Sequence, residues 1–464
     1  MRSLVWFRGK DLRVADHGPL WEAARAGEVI PLFVLDPYFF APARARGLAS
    51  RMQVLLEALA ELEKNLARLG SRLVLVTGRS VDVVPQWAER WKVDQVLAHR
   101  WSEPFGRERD ARIRRTLDNL GIPFQLFEGE TLVPPGSLRS GSGQLFRVFT
   151  GFARAFHREG ILGAPLAGLK SLPPLPQGIA GENIAIPSLE SLGITLNGSI
   201  LRGGETSSQQ RLATFLAGGL PAYRTDRDHL DREGTSRLSA DLHFGTLSVR
   251  TLWRRVSDQG PDENTRAFLN ELLWREFAHH WLVERPELLG KPFRPAFEGF
   301  PWRTDEAGWR AWAEGRTGYP VVDAAARQLL GEGFVHNRAR MVAASFLVKH
   351  LLLDYRRGEA HYLAHLADGD WASNDLGWQW SAGCGCDAQP WFRIFNPVLQ
   401  GERFDPQGDY VRRWVPELAD LPTRWIHKPH LAPAALLGTY PQPIVDHGEA
   451  RRRFLQTTKA HLNR

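Results

Sequence analysis

Over the first quarter of the chain, short apolar runs rich in β-branched and aromatic residues alternate with stretches whose apolar positions recur at helical spacing. The runs Leu4 to Phe7, Val29 to Leu35, Leu73 to Val76, Val96 to Ala98 and Phe124 to Phe127 predict strands. Between them, Leu55, Leu59, Leu62, Leu66 and Leu69 form a helical stripe that Gly70 is placed to stop. This alternation predicts an α/β domain over residues 1–130, with a mostly parallel, Rossmann-like sheet of five strands. No Gly-x-Gly-x-x-Gly follows the first run, so the usual dinucleotide fingerprint is missing from that turn.

The pattern then breaks. Residues 162–204 are rich in Pro, Gly and Ser, as in Pro173-Pro174-Leu175-Pro176, and residues 131–208 are read as an interdomain linker. From Gln209 onward the periodicity is helical, which predicts an all-α domain over 209–464. Twelve of the seventeen tryptophans lie from Trp253 onward, so the chemistry is expected there.

Composition narrows the class. A chain of 464 residues, 43% hydrophobic and 24% charged, belongs with soluble globular proteins of two or three domains. The amino terminus lacks the pattern of a cleavable signal, and no apolar stretch is long enough to cross a bilayer. The two cysteines, Cys384 and Cys386, are too few for a tetrathiolate zinc site or an iron–sulfur cluster, so no metal is expected. They fit a reducing, cytoplasmic setting. The net charge of +7 favours a polyanionic partner, because each phosphate neutralised releases counterions.

Four stretches concentrate chemistry. Asp368 to Trp380 packs two closely spaced carboxylates, Asp368 and Asp370, with Asn374 and three indoles, Trp371, Trp378 and Trp380, as a redox cofactor cradle would. If the stretch is helical, Asp370 and Asn374 share a face, and Gly377 is placed to end the helix and turn Trp378 inward. Glu271, Trp274 and Arg275 share a second helical face suited to a polar aromatic ligand. On a third, Asn337, Arg340 and Met341 align while Arg338 turns elsewhere; a buried Arg340 needs an acid, for which Asp368 is the candidate. Thr235, Ser236, Arg237, Leu238 and Ser239 offer hydroxyls and backbone amides to a pyrophosphate.

These stretches, with Gly318 to Ala324, Phe392 to Pro397, the opening Val5 to Arg13 and the closing Tyr440 to Asp446, resemble the photolyase/cryptochrome family along nearly the whole chain. The nearest branch in motif is the class I cyclobutane pyrimidine dimer DNA photolyases. The resemblance implies an antenna domain followed by a helical domain holding FAD, active when fully reduced and anionic. It implies blue-light-driven splitting of a dimer flipped out of duplex or single-stranded UV-damaged DNA. It places Tyr223, Thr235 to Ser239, Phe268, Arg275, Arg340, Asp368, Asp370 and Asn374 around FAD. Glu271, Asn337 and Met341, with Asn374, take the catalytic roles. Trp274 and Trp380 wall the lesion pocket, and Arg227, Arg338 and Arg393 hold DNA phosphates. It implies a monomer with no membrane association.

The sequence departs from the family pattern at three positions. Phe268 stands where tryptophan is frequent. Tyr355 takes the middle position of the electron relay between Trp302 and Trp378; if it is bypassed, Trp371, Trp380 and Trp391 are the nearest indoles in sequence. Phe105 to Asp110 lacks the Asn-Glu pair of folate-antenna members, so a deazaflavin or flavin antenna, or none, is expected. Two other branches compete: a (6-4) photolyase, expected to carry histidine at Met341, and a photosensory cryptochrome, expected to extend well beyond Asp446.

Overall fold

The computed structural model describes residues 1–463 apart from 161, 180 and 183. Five strands, β1 (Arg2–Phe7), β2 (Glu28–Leu35), β3 (Val74–Thr77), β4 (Gln95–His99) and β5 (Phe124–Phe127), form one parallel sheet in the order β3-β2-β1-β4-β5. A parallel sheet is covered on both faces, and β1, β2 and β4 are accordingly buried almost end to end. Strand order reverses at β1, where such sheets open a crevice beyond the carboxyl ends of their strands. The helix Ala49–Arg68 buries Leu55, Leu59, Leu62 and Leu66 and stops before Gly70, whose φ of 92° suits only glycine.

The chain forms two compact units, one of residues 1–146, 152–218 and 236–286, the other of 147–151, 219–235 and 287–464. Within the stretch read as a linker, Phe149–Glu159 is a helix. Its Phe152 packs 5.3 Å from Phe277 and its Phe156 5.2 Å from Trp253, so apolar burial overrides the weak local pattern. Beyond Gln209 the described residues contain helices and no strand, because every apolar run there recurs at helical rather than alternate spacing.

The second unit packs its helices over a core that includes Trp312, Phe346 and Phe454, each almost wholly buried. Buried Asp323 ties two distant motifs together, accepting from Thr317 N (2.7 Å), Thr317 Oγ1 (2.6 Å), Gly318 N (3.1 Å) and the Tyr440 hydroxyl (2.5 Å). One sequence expectation fails here. Gly377 does not end its helix, which runs Trp371–Ala382 and stops at Gly383 with φ 85°. A mid-helix glycine costs only about 1 kcal/mol, and burial of Trp378, Ser381 and Ala382 beyond it offsets that.

Candidate functional site

Within the second unit, Asp370 is the N-cap of the helix Trp371–Ala382, its Oδ1 accepting from Ser373 N at 2.8 Å. One turn on, buried Asn374 donates Nδ2 to the Glu359 carbonyl at 3.1 Å. That bond fixes the amide, leaving Oδ1 as its acceptor. Asp368 pairs with Arg340 at 3.2 Å, and Arg340 Nε donates to the Val335 carbonyl at 2.9 Å, so the guanidinium is held on two sides. Trp378 lies against Gly358, where an added Cβ would come within 2.2 Å of the indole. Close approach of the helices Tyr355–His365 and Trp371–Ala382 therefore requires a glycine at this point.

The helix Asn337–Ser345 presents Asn337 and Met341 together, Asn337 Nδ2 lying 3.9 Å from Met341 Sδ. Arg338 is not turned away from this face as the helical spacing predicts: its Nη1 lies 3.8 Å from the same sulfur. The physical reason is its anchoring, with Nη2 on Asp228 at 2.7 Å and the guanidinium 4.4 Å over the Phe404 ring. Tyr223 is buried, with the Arg227 guanidinium 5.5 Å over its ring, and Thr235 belongs to the same unit. Lys349, fully buried, donates to the Arg393 carbonyl at 2.8 Å and so fixes the loop carrying that arginine. Burial lowers the Lys349 ammonium to about 7. Trp380 is half-buried one turn before Gly383.

The first unit holds the long helix Glu263–Glu284, capped by Asp262, on which Glu271, Trp274 and Arg275 are all half-buried. Arg275 donates to the Glu130 carbonyl at 2.6 Å. Phe268 is buried against Phe215, ring centroids 4.7 Å apart. Ser236, Arg237, Leu238 and Ser239 lead into the helix Ser239–Phe244; Arg237 holds φ 55°, and Leu238 is itself buried. Non-glycine residues in the left-handed region are uncommon and concentrate at binding loops.

The same unit holds a cleft of about 490 Å³ beyond the carboxyl ends of β2, β3 and β4, lined by Asp36, Tyr38, Arg79, Phe105, Arg109 and Arg112 among others. Tyr38 and Phe105 stack there at 4.2 Å with planes 14° apart. In the same unit, Asp11, His17 and His99 bring three potential metal ligands together, all buried. His17 Nδ1 accepts from Leu20 N at 3.1 Å, so the neutral ring carries its proton on Nε2, facing Asp11 at 3.8 Å. That nitrogen has no lone pair for a metal, and the trio reads as a proton-bearing structural bridge.

Sequence reasoning missed Gly358, Glu359 and Trp312. Each lies apart in sequence from its partners, and contact between separate helices leaves no periodic trace.

Residues 268–460 match the FAD binding domain of DNA photolyase, and residues 3–175 match DNA photolyase. A deoxyribodipyrimidine photo-lyase of Thermus thermophilus is 41% identical over 98% of this chain and 98% of its own. Among solved structures, a bacterial class III photolyase from Agrobacterium tumefaciens superposes with a TM-score of 0.92 at 38% identity, covering 100% of this chain and 98% of that one. A Synechocystis cryptochrome gives 0.89 at 30% identity, over 98% and 99%. The chain belongs to the photolyase/cryptochrome family and carries that family's FAD-binding domain.

Proposed function

We propose that the protein is a deoxyribodipyrimidine photo-lyase, an enzyme of light-driven DNA repair. Asn374 carries the reading. Its amide, oriented by the Glu359 carbonyl, offers an acceptor that does not titrate, which suits the N5–H edge of a reduced flavin. The donor set around it fits FAD: Arg340 held by Asp368, Asp370 at a helix start, and the buried indole of Trp378. When bound, fully reduced anionic FAD supplies the light-driven electron that splits a cyclobutane pyrimidine dimer. The chain's own residues then bind and orient the lesion. Glu271 and Asn337 serve its polar edges, while Trp274, Met341 and Trp380 exclude water around it. In this assignment residues 1–130 are an antenna domain, 131–208 the connection, and 209–464 the FAD- and DNA-binding region, in a monomer. Tyr223, Thr235 to Ser239, Phe268 and Arg275 complete the FAD contacts.

The motif Phe105 to Asp110 supplies three lining residues of the 490 Å³ cleft, Phe105, Glu108 and Arg109, and the stacked Tyr38 and Phe105 rings suit a flat flavin or deazaflavin antenna. Class I is the reading the motifs favour; the likeness to a class III photolyase makes class III the second. The likeness to a cryptochrome keeps a photosensory role as the rival outside repair.

The test is repair of a dimer-containing oligonucleotide with and without blue light. Light-dependent dimer loss, reduced at least about tenfold in Glu271→Ala, is expected, since a group stabilising transition-state charge is worth that much or more. No repair, with FAD bound, favours the photosensory reading. With Arg227, Arg338 and Arg393 among roughly four phosphate contacts, log affinity for damaged duplex should fall against log salt with a slope of about −3 to −4. A flat salt dependence would remove the arginines from the interface.

A further inference from the structure

Lys349 belongs to the π-helical turn Phe346–His350 of the second unit and is fully buried. Such turns are rare and gather at functional sites. Among the described residues its ammonium donates to one acceptor, the Arg393 carbonyl at 2.8 Å, and its other near neighbour is the Phe454 ring at 5.9 Å. Three N–H donors thus meet a single carbonyl in an apolar setting. An unbranched apolar residue such as methionine would fill the position without the desolvation cost of an ammonium. The charge serves the loop that Arg393 belongs to.

That loop, residues 383–396, joins the helix Trp371–Ala382 to the helix Pro397–Phe404. Its first half is tied down repeatedly: Arg294 N donates to the Cys384 carbonyl at 2.9 Å, Phe149 N to Asp387 Oδ2 at 3.0 Å, and Gln389 Nε2 to the Ser381 carbonyl at 3.0 Å. Over residues 391–395 the described hydrogen bonds are two, Arg393 N to the Pro390 carbonyl at 2.9 Å within the loop, and Lys349 to Arg393. Phe392 and Arg393 are both exposed. Lys349 therefore holds, from the core side, the backbone of a residue whose own side chain faces solvent.

We propose that Lys349 is a positioning residue for damaged DNA: its ammonium fixes the Arg393 carbonyl, and with it the loop, in the arrangement that brings the Arg393 guanidinium to a phosphate. The inference rests on the reading of Arg393 as a DNA contact. Lys349, being fully buried, does not itself reach DNA. The contact is linked to a proton, because a charged donor grips a carbonyl about twice as firmly as a neutral amine. Burial brings the Lys349 ammonium down to about 7; the Cys384 side chain opposes that shift and the Arg393 charge adds to it. A phosphate on Arg393 offsets the Arg393 charge, so Lys349 takes up a proton from water as DNA binds. The bound protein then holds more protons than the free one, and affinity is greatest below about pH 7 and falls as pH rises above it.

The other groups around the turn are accounted for. Burial keeps His350 neutral, at about 3, and the Cys384 thiol protonated, at about 12. The helix His447–Leu462 brings His447, lowered by burial, and Arg453, which donates to the His350 carbonyl. Arg338 and Arg340, on the helix leading into the turn, are held by Asp228 and Asp368. Tyr319, near His350, is raised by burial to about 12. Buried Tyr355, its ring 6.4 Å from Trp302, is also raised, as are the Glu359 and Asp375 carboxyls. Their titration is common to the parent and to Lys349 variants, so the difference between these isolates Lys349.

The experiment measures, in the dark and at fixed salt, binding of the FAD-loaded protein to a fluorescent duplex carrying one cyclobutane thymine dimer, from about pH 6.5 to 8.5. FAD-to-protein ratio and circular dichroism check folding of each variant. Lys349→Met should bind at least about fivefold more weakly than the parent at the acid end, having lost a hydrogen bond from a charged group. The gap should shrink towards the alkaline end as the parent ammonium deprotonates. Lys349→Arg, permanently charged, should keep the parent's low-pH affinity across the range. If neither variant folds, calorimetry in buffers of different ionisation heat decides: at about pH 7.5 the parent should take up part of one proton on binding, and Arg393→Ala less. A parent-to-Lys349→Met ratio that is constant with pH, or equal proton uptake by the parent and Arg393→Ala, would overturn the role of Lys349 and leave the DNA contact standing. Undiminished binding by Arg393→Ala would overturn the contact on which that role rests.

Discussion

Two buried clusters of ionisable groups sit beside indoles in this protein, and they are built on opposite electrostatic plans. In the α/β unit, Arg8 and Arg109 share Asp110 at 2.7 and 3.0 Å, all nearly sealed from solvent, with Arg109 4.4 Å over Trp101 and 4.8 Å over Trp6. In the helical unit, Glu359, Asp375 and Tyr355 lie close enough to raise one another's pKa values, and burial, the larger cause, holds all three towards their protonated forms. In the first cluster every charge lies within 3.0 Å of an opposite one. In the second, burial outweighs the hydrogen bond that Asp375 accepts from Gln379 Nε2 at 3.0 Å, and among the described residues no arginine or lysine forms an ion pair with either carboxyl.

The comparison predicts its largest effect in the paired cluster. Asp110→Asn would leave two buried guanidiniums without their anion, costing about 3–5 kcal/mol. Chemical denaturation of the variant should show that loss. A change below about 1 kcal/mol would mean the pair behaves like a surface salt bridge.

The neutral cluster should reveal itself through pH. Both carboxyls have folded-state pKa values raised above the ordinary carboxylate value of about 4.3. Above that value the unfolded chain releases protons that the folded protein retains. Stability is therefore greatest below it and falls with rising pH, by up to about 1.4 kcal/mol per unit for each group, until the folded carboxyl ionises. Glu359→Gln removes one of the two slopes, so thermal unfolding from about pH 5 to 8 should show the variant gaining on the parent as pH rises. Parallel curves would mean that Glu359 is ionised in the folded protein.

The contrast also explains what could be read from sequence. Strands such as Val29 to Leu35 were legible because a sheet covered on both faces writes itself as an unbroken apolar run. The pairing of Arg340 with Asp368 was anticipated because a buried guanidinium demands an acid and few were at hand. Trp312 was not legible as a neighbour of Trp378, since contact between separate helices leaves no periodic trace. Gly377 misled for a related reason: glycine marks where a helix can stop, while packing decides whether it does. Gly383, in the left-handed region, is the stop.

A smaller effect should follow from Gly358→Ala. The new methyl would overlap the Trp378 ring and the Leu347 side chain, at 2.2 and 2.6 Å, which costs about 1–3 kcal/mol as overpacking despite alanine's better helix propensity. Tryptophan fluorescence should change with it. A variant as stable as the parent would show that the two helices separate freely, and that the neutral cluster is less tightly sealed than the charged one.

The smallest change in stability, and the most telling for the site, belongs to Asn374. Removing its amide in Asn374→Ala gives up one hydrogen bond to the Glu359 carbonyl, worth about 1 kcal/mol. Asn374→Asp is subtler. A carboxyl can keep that bond only while protonated, so ionisation would break the contact and place a charge beside Glu359, whose own carboxyl burial holds towards its protonated form. The absorption spectrum of the photoreduced flavin should then change with pH more in Asn374→Asp than in the parent, because the parent amide has nothing to titrate. Identical spectra from both proteins at every pH would mean that Asn374 does not face the flavin, and that the neutral cluster serves packing alone.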